Sequence, residues 1–181
     1  MKGKYEIFND IAQSRRHNNR LVYSCLILMI AVFAIAIYFV VSAHERANNN
    51  AYVQNFHELF FSLEPDLNLI KRNIEEKALF MVDWSGNRLY ARLVEKKYFH
   101  DVVMRDYHYF VELDSIQIDY ATYPFPFTFY GKQAIEKGKS TTYRNLVTKG
   151  HLKKAGITPN NLNGIKIIDF EVVDNSNLER R

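Results

Sequence analysis

The sequence predicts an α+β domain carried on one membrane-length helix, and three observations predict it. An uncharged apolar run, LVYSCLILMIAVFAIAIYFVVSA, fills residues 21–43. From Val53 to about Met104 the apolar residues recur at helical spacing. From Tyr107 onward they alternate with a period of two. Helices first and a run of antiparallel strands afterwards make an α+β domain.

The apolar run holds 23 residues, and about 20 suffice to cross a bilayer as a helix. Val41-Ser42-Ala43 has the look of a signal-peptide cleavage site, but signal cores run only about 7–15 residues and this one follows a long polar lead-in. A retained anchor is therefore expected. Lys2, Lys4, Arg15, Arg16 and Arg20 precede the run, and only Arg46 follows it before Lys71. The positive-inside rule then gives a cytoplasmic tail (1–20), a transmembrane helix (21–43), a polar linker (44–51) and an exported domain (52–181).

The formal charge is +4, and the tail carries most of it. Its five basic and two acidic residues leave 19 basic against 18 acidic for the rest. A nucleic-acid binder concentrates basic charge on its folded domain, so DNA contact by the exported part is not expected. The single cysteine, Cys25, lies inside the apolar run. The exported part thus has no disulfide, no Cys-ligated metal and no Cys nucleophile.

In the domain, Val53, Phe56, Phe60 and Leu63 form one helical stripe with Leu59 beside it, and Pro65 is expected to end that helix. Pro65 also suits the first position of the next helix, where Asp66 would meet the positive end of the dipole. Leu67, Ile70, Ile74, Ala78 and Met81 form that helix's stripe. DWSGN (83–87) reads as a turn. Leu89, Tyr90, Leu93 and Val94 open a third helix that runs to about Met104.

Four strands follow. In HYFVELDSIQIDY, Val111 and Leu113 alternate in one phase and Ile116, Ile118 and Tyr120 in the other. A bulge near Asp114-Ser115 explains the flip. TYPFPFTFYGKQAIEKG puts Tyr123, Phe125, Phe127 and Phe129 on one face. STTYRNLVTKGHL (140–152) is the third strand, PNNLNG (159–164) a turn, and IKIIDFEVV (165–173) the fourth strand, with a phase slip at Ile167-Ile168. Pro124 and Pro126 lack N–H groups on the same side of their strand, which predicts a sheet edge there with the odd-numbered amides paired.

Chemistry finds little support. His57-Glu58 opens the H-E-x-x-H pattern of zinc proteases, but Phe61 replaces the second histidine and offers no lone pair. His17, His44, His57, His100, His108 and His151 include no ligand set at metal spacing. KGKST (137–141) resembles the end of a phosphate-binding loop, yet Gln133 stands where the first glycine belongs, and a hairpin turn fits better. Asp114, Asp119 and Tyr120 suit a carboxylate base in a cone-shaped sheet, but Asp114 lies at the bulge and Asp119 alternates outward. No catalytic, cofactor or metal residues are assigned. Aromatic residues make up 14% of the chain. Most are expected in the core, with Tyr98, Tyr107, Tyr109 and Phe61 as candidate interface residues.

These residues carry a family resemblance. FHELFFSLEPD, with Phe56, His57, Glu58, Leu59, Phe60 and Phe61, resembles the signature stretch of the TraK family, transfer proteins of conjugative transposons. LDS (113–115), TYPF (122–125), RNLVT (144–148) and FEVV (170–173) with Asn175 fall in the family's order. The resemblance spans roughly Phe56 to the C-terminus, and the connection from membrane helix to signature helix is shorter than the family's. TraK is in turn similar to the eighth VirB component of type IV secretion systems. That resemblance implies a bitopic inner-membrane protein whose periplasmic domain has a nuclear transport factor 2-like fold, about three helices on a curved four-stranded antiparallel sheet. It further implies a non-enzymatic scaffold that self-associates and contacts other channel subunits. Two other readings remain: an exported sensor that binds a small ligand in the cone of the sheet, and an enzyme of the same fold. An open apolar pocket would favour the sensor and a polar pocket with a buried carboxylate the enzyme. A filled cone with an exposed aromatic patch would favour the scaffold.

Overall fold

The computed structural model describes residues 3–178, and the chain divides into two compact units, residues 1–46 and 47–181. The first unit is helical, part of α1 (Lys4–Phe61). Its apolar run exposes its side chains and is long and apolar enough to span a membrane.

The polar linker expected at 44–51 does not interrupt the helix, because α1 is continuous to Phe61. His-Glu-Arg-Ala-Asn-Asn-Asn-Ala contains neither glycine nor proline, and polarity alone does not break the backbone hydrogen-bond run. Asn49 is already buried, and its amide donates to the Tyr120 hydroxyl at 3.4 Å.

In the second unit the expected stripe is inside. Val53, Phe56 and Phe60 are at most 1% exposed. The helix stops at Phe61, before Leu63, which leaves it to exchange backbone hydrogen bonds with Tyr109 at 2.9 and 2.8 Å. Leu63 is buried all the same, as part of a β-bridge. Pro65 therefore precedes the next helix rather than opening it. Asp66 is the N-cap of α2 (Leu67–Asn73), with its carboxylate accepting from the Asn68 and Leu69 amides.

A π-helical turn (Ile74–Ala78) and a short α3 (Leu79–Met81) continue this segment. The reason is visible in the spacing. Ile70, Ile74 and Ala78 stand four apart, and an α-helix would rotate each about 40° from the last. The wider π turn keeps all three buried on one face. Leu67, the first residue of the expected stripe, is 41% exposed.

The expected turn at 83–87 is the start of a helix. Asp83 caps α4 (Trp84–Glu95) by accepting from the Ser85 amide at 2.9 Å. Nor does one helix run to Met104: Lys97 adopts left-handed backbone (φ 55°) and separates α4 from α5 (Tyr98–Met104).

The sheet is an antiparallel meander of β1 (His108–Ile118), β2 (Phe125–Lys137), β3 (Ser140–Lys154) and β4 (Ile165–Asp174), in sequence order. The bulge falls on Asp114, skipped between the pairs Leu113↔Gly131 and Ser115↔Tyr130. In β4 the slip lies later than expected. Ile165, Ile167 and Phe170 are the buried residues, and Asp169, at φ 53°, is the kink between the last two. KGKST forms the β2–β3 hairpin turn, with Gly138 at φ 58°.

The double-proline strand is not an edge strand, since β2 lies between β1 and β3. The local argument survives on a smaller scale. Phe125 and Pro126 pair with β3, whereas the ladder to β1 begins only at Phe127. One bond from the Asp119 amide to the Pro126 carbonyl, at 2.9 Å, ends it. Thus the prolines sit where β1 has run out. Phe127 and Phe129 are buried, while Tyr123 precedes the strand and is 54% exposed.

Candidate interaction site

His57 lies on the sheet-facing side of α1 and is fully buried. Its ring stacks on Phe129 at 3.8 Å between centroids, tilted by 5°, and more loosely on Phe61 at 5.8 Å. Its Nδ1 is 2.7 Å from the Val53 carbonyl, which can only accept, so Nδ1 carries the proton and donates. Nε2 then accepts from the Thr148 hydroxyl at 2.6 Å. Burial pushes the imidazole down to about 3, so the ring is neutral. Both nitrogens are engaged with protein atoms.

Glu58 points the other way, to solvent, and accepts from Gln54 at 2.8 Å. The helix thus separates the two residues that opened the protease-like pattern. Phe56 and Phe60 are core, and Leu59 and Phe61 are half-buried against it. Asp114 is exposed near Lys132 at 3.7 Å, and Asp119 is exposed and accepts from the Ala121 amide.

Tyr98, Tyr107 and Tyr109 come together. Tyr109 is buried, with its ring 6.0 Å from each of the other two, both half-buried. Burial first, and after it the neighbouring Tyr109 hydroxyl, raise the Tyr98 pKa. They line a cavity of about 260 Å³ together with Asp101, Arg105, Ile135, Thr142 and Arg144.

The register explains the grouping. Tyr109, Ile135 and Thr142 stand in one row across β1, β2 and β3, and Arg144 is two residues beyond Thr142 on the same face. Asn177, which bridges to β3 at Arg144, accepts from Arg144 Nε at 2.8 Å. Lys137 Nζ stands 5.3 Å from the Tyr107 ring centre, a cation–π distance. The three tyrosines were legible in the sequence as candidates, whereas Arg105, Lys137 and Arg144 were not. For Lys137 and Arg144 the only sequence signal is strand register, which a bulge and two hairpins must first establish, and Arg105, which caps the end of α5, has none.

A second, apolar cavity of about 170 Å³ lies between the end of α1, α4 and the sheet. Phe60, Phe61, Leu89, Leu93, Phe99 and Val172 are among its walls. Gln133, its buried polar member, donates to the Phe61 carbonyl at 2.7 Å.

No protein-family model matches the chain, and no curated protein matches it by sequence. Among solved structures it is similar to the soluble domain of TrwG, from the type IV secretion machinery of Bartonella grahamii. The match covers 72% of this chain and 94% of that one, with a TM-score of 0.57 and 11% identity. At that identity the likeness establishes a fold: this chain has an α+β fold of the kind seen in a type IV secretion component.

Proposed function

We propose that this protein is a single-pass inner-membrane assembly subunit of a conjugative type IV secretion channel, of the TraK kind. Its tail lies in the cytoplasm and its domain, a nuclear transport factor 2-like cone, in the periplasm. It acts through self-association and contacts with other channel subunits rather than by catalysis. The observation that carries this reading is the likeness to the TrwG soluble domain in a chain that begins with a membrane-length apolar helix. The FHELFF helix and its neighbours supply the resemblance to TraK. The tyrosine cavity beside Arg105 and Arg144 is the contact surface this reading favours.

In-cell cross-linking from Tyr107, followed by identification of the linked proteins, tests the proposal. Other secretion subunits and a second copy of this chain are the expected neighbours, and deletion of the gene should abolish DNA transfer. Undiminished transfer by the deletion strain would overturn it. The apolar cavity supports a second reading, an exported sensor for a small apolar ligand. It is similar in size to a dry engineered cavity of about 150 Å³ that binds benzene.

A further inference from the structure

The tyrosine cavity carries more positive charge than its own lining balances. Neither Arg105 nor Arg144 takes part in an ion pair among the described residues. Asn177 holds Arg144 by its Nε alone, which fixes the guanidinium plane and leaves the two-pronged Nη end for another acceptor. The Tyr109 hydroxyl stands in the same lining and offers an O–H donor. Two arginines, a tyrosine hydroxyl and the nearby Lys137 ammonium thus outweigh the one acid of the lining, Asp101.

The remaining walls are the rings of Tyr98 and Tyr107 and the side chain of Ile135. They suit a ligand with a charged head on a carbon stem. A bare phosphate would leave that aromatic surface unfilled, and an apolar molecule would leave two guanidinium groups unpaired. A carboxylate on a short stem meets both demands, because the planar fork of arginine matches it with two parallel hydrogen bonds.

We propose that the cavity formed by Tyr98, Tyr107, Tyr109, Arg105 and Arg144 is a carboxylate-binding site that takes one acidic residue of a partner polypeptide. The carboxylate comes either from an Asp or Glu side chain or from a chain's free C-terminus. As an account of partner contact, this rests on the assembly reading above. As a binding site, it is tested separately.

The test uses the full chain in detergent micelles and fluorescent tetrapeptides followed by anisotropy. One peptide is amidated and carries a single Glu; a second has only a free C-terminus; a third is amidated with Gln in place of Glu. Inorganic phosphate and acetate are the competitors. At least one carboxylate peptide should bind saturably, the Gln peptide should not, and acetate should compete better than phosphate. Which carboxylate peptide binds identifies the source. Arg144→Gln and Arg105→Gln should each weaken binding at least tenfold, with Arg144→Lys intermediate. If Arg144→Gln fails to fold, the exposed Arg105 still provides the test.

Equal binding of the Gln peptide, stronger competition by phosphate, or wild-type affinity in both folded arginine variants would overturn the site. So would no saturation by either carboxylate peptide. Carboxylate binding without cross-links to secretion subunits would sink the assembly reading and keep the site. The reverse outcome would do the opposite.

Discussion

His57 concentrates, in one side chain, what the sequence showed and what it hid. Its helical face was legible, since Val53, Phe56 and Phe60 mark a stripe beside it. Its burial against Phe129 and Thr148 was not, because those partners arrive through sheet register, Thr148 at 91 residues' remove. The neutral buried ring has a stability consequence. The folded-state pKa of about 3 lies below the unfolded value of about 6.5. The unfolded chain therefore binds a proton first as pH falls, and stability is lost from about pH 6.5 down toward 3. Between pH 7 and 4.5 the ring alone should contribute a loss of ~2–3 kcal/mol. Denaturant unfolding of wild type and His57→Gln at both pH values measures it. Gln does not titrate, so the variant should lose less stability on acidification, even if it starts lower. Identical losses in the two proteins would show that the ring is not buried neutral.

At the level of elements, the segment from Val82 to Ser85 shows why patterning located the helices better than their ends. DWSGN carries turn residues, and an N-cap uses the same residues for the same reason: a short polar side chain accepts from the backbone. What distinguishes the two is tertiary. The Asp83 amide donates to the Ile167 carbonyl at 2.8 Å, and Ser85 Oγ accepts from the Phe170 amide at 2.8 Å while donating to Asp83. The helix start thus also covers the outer edge of β4, an edge that would otherwise present unpaired groups. Gly86 lets the Val82 side chain fold against the first turn of α4, since a Cβ there would lie 2.2 Å from Val82 Cγ1. Ser85→Ala should cost about 1–3 kcal/mol, the effect of leaving a buried amide unsatisfied. Hydrogen exchange should localise it, with the Phe170 amide losing protection while those in the β2–β3 ladder keep theirs. Uniform loss across the sheet would mean the edge bond is not separable from the fold. The prolines repeat the lesson: a missing N–H says which side of a residue is unpaired, but not how far along the strand that holds.

For the whole molecule, α+β order and the membrane-length helix were legible because both rest on long runs of one period. The continuity of α1 and the arginines of the cavity were not, since neither leaves a periodic trace. The proposed topology predicts that an enzyme active only after export, fused after Arg181, will be active, and that the same enzyme fused to Met1 will be silent. The reverse pattern would invert the orientation read from the basic flank. The meander adds a consequence in time. Its strands pair with their sequence neighbours, so the sheet closes locally, from hairpins outward. Helix α1 is the exception, made first and completed last. At about 5–20 residues per second, Thr148 leaves the ribosome on the order of ten seconds after His57. Until then Phe56, His57 and Phe60 have no sheet to lie against. Under the proposed topology the newborn chain crosses the membrane with this apolar helix face uncovered, and during that interval it is open to capture by a chaperone or by another copy of itself.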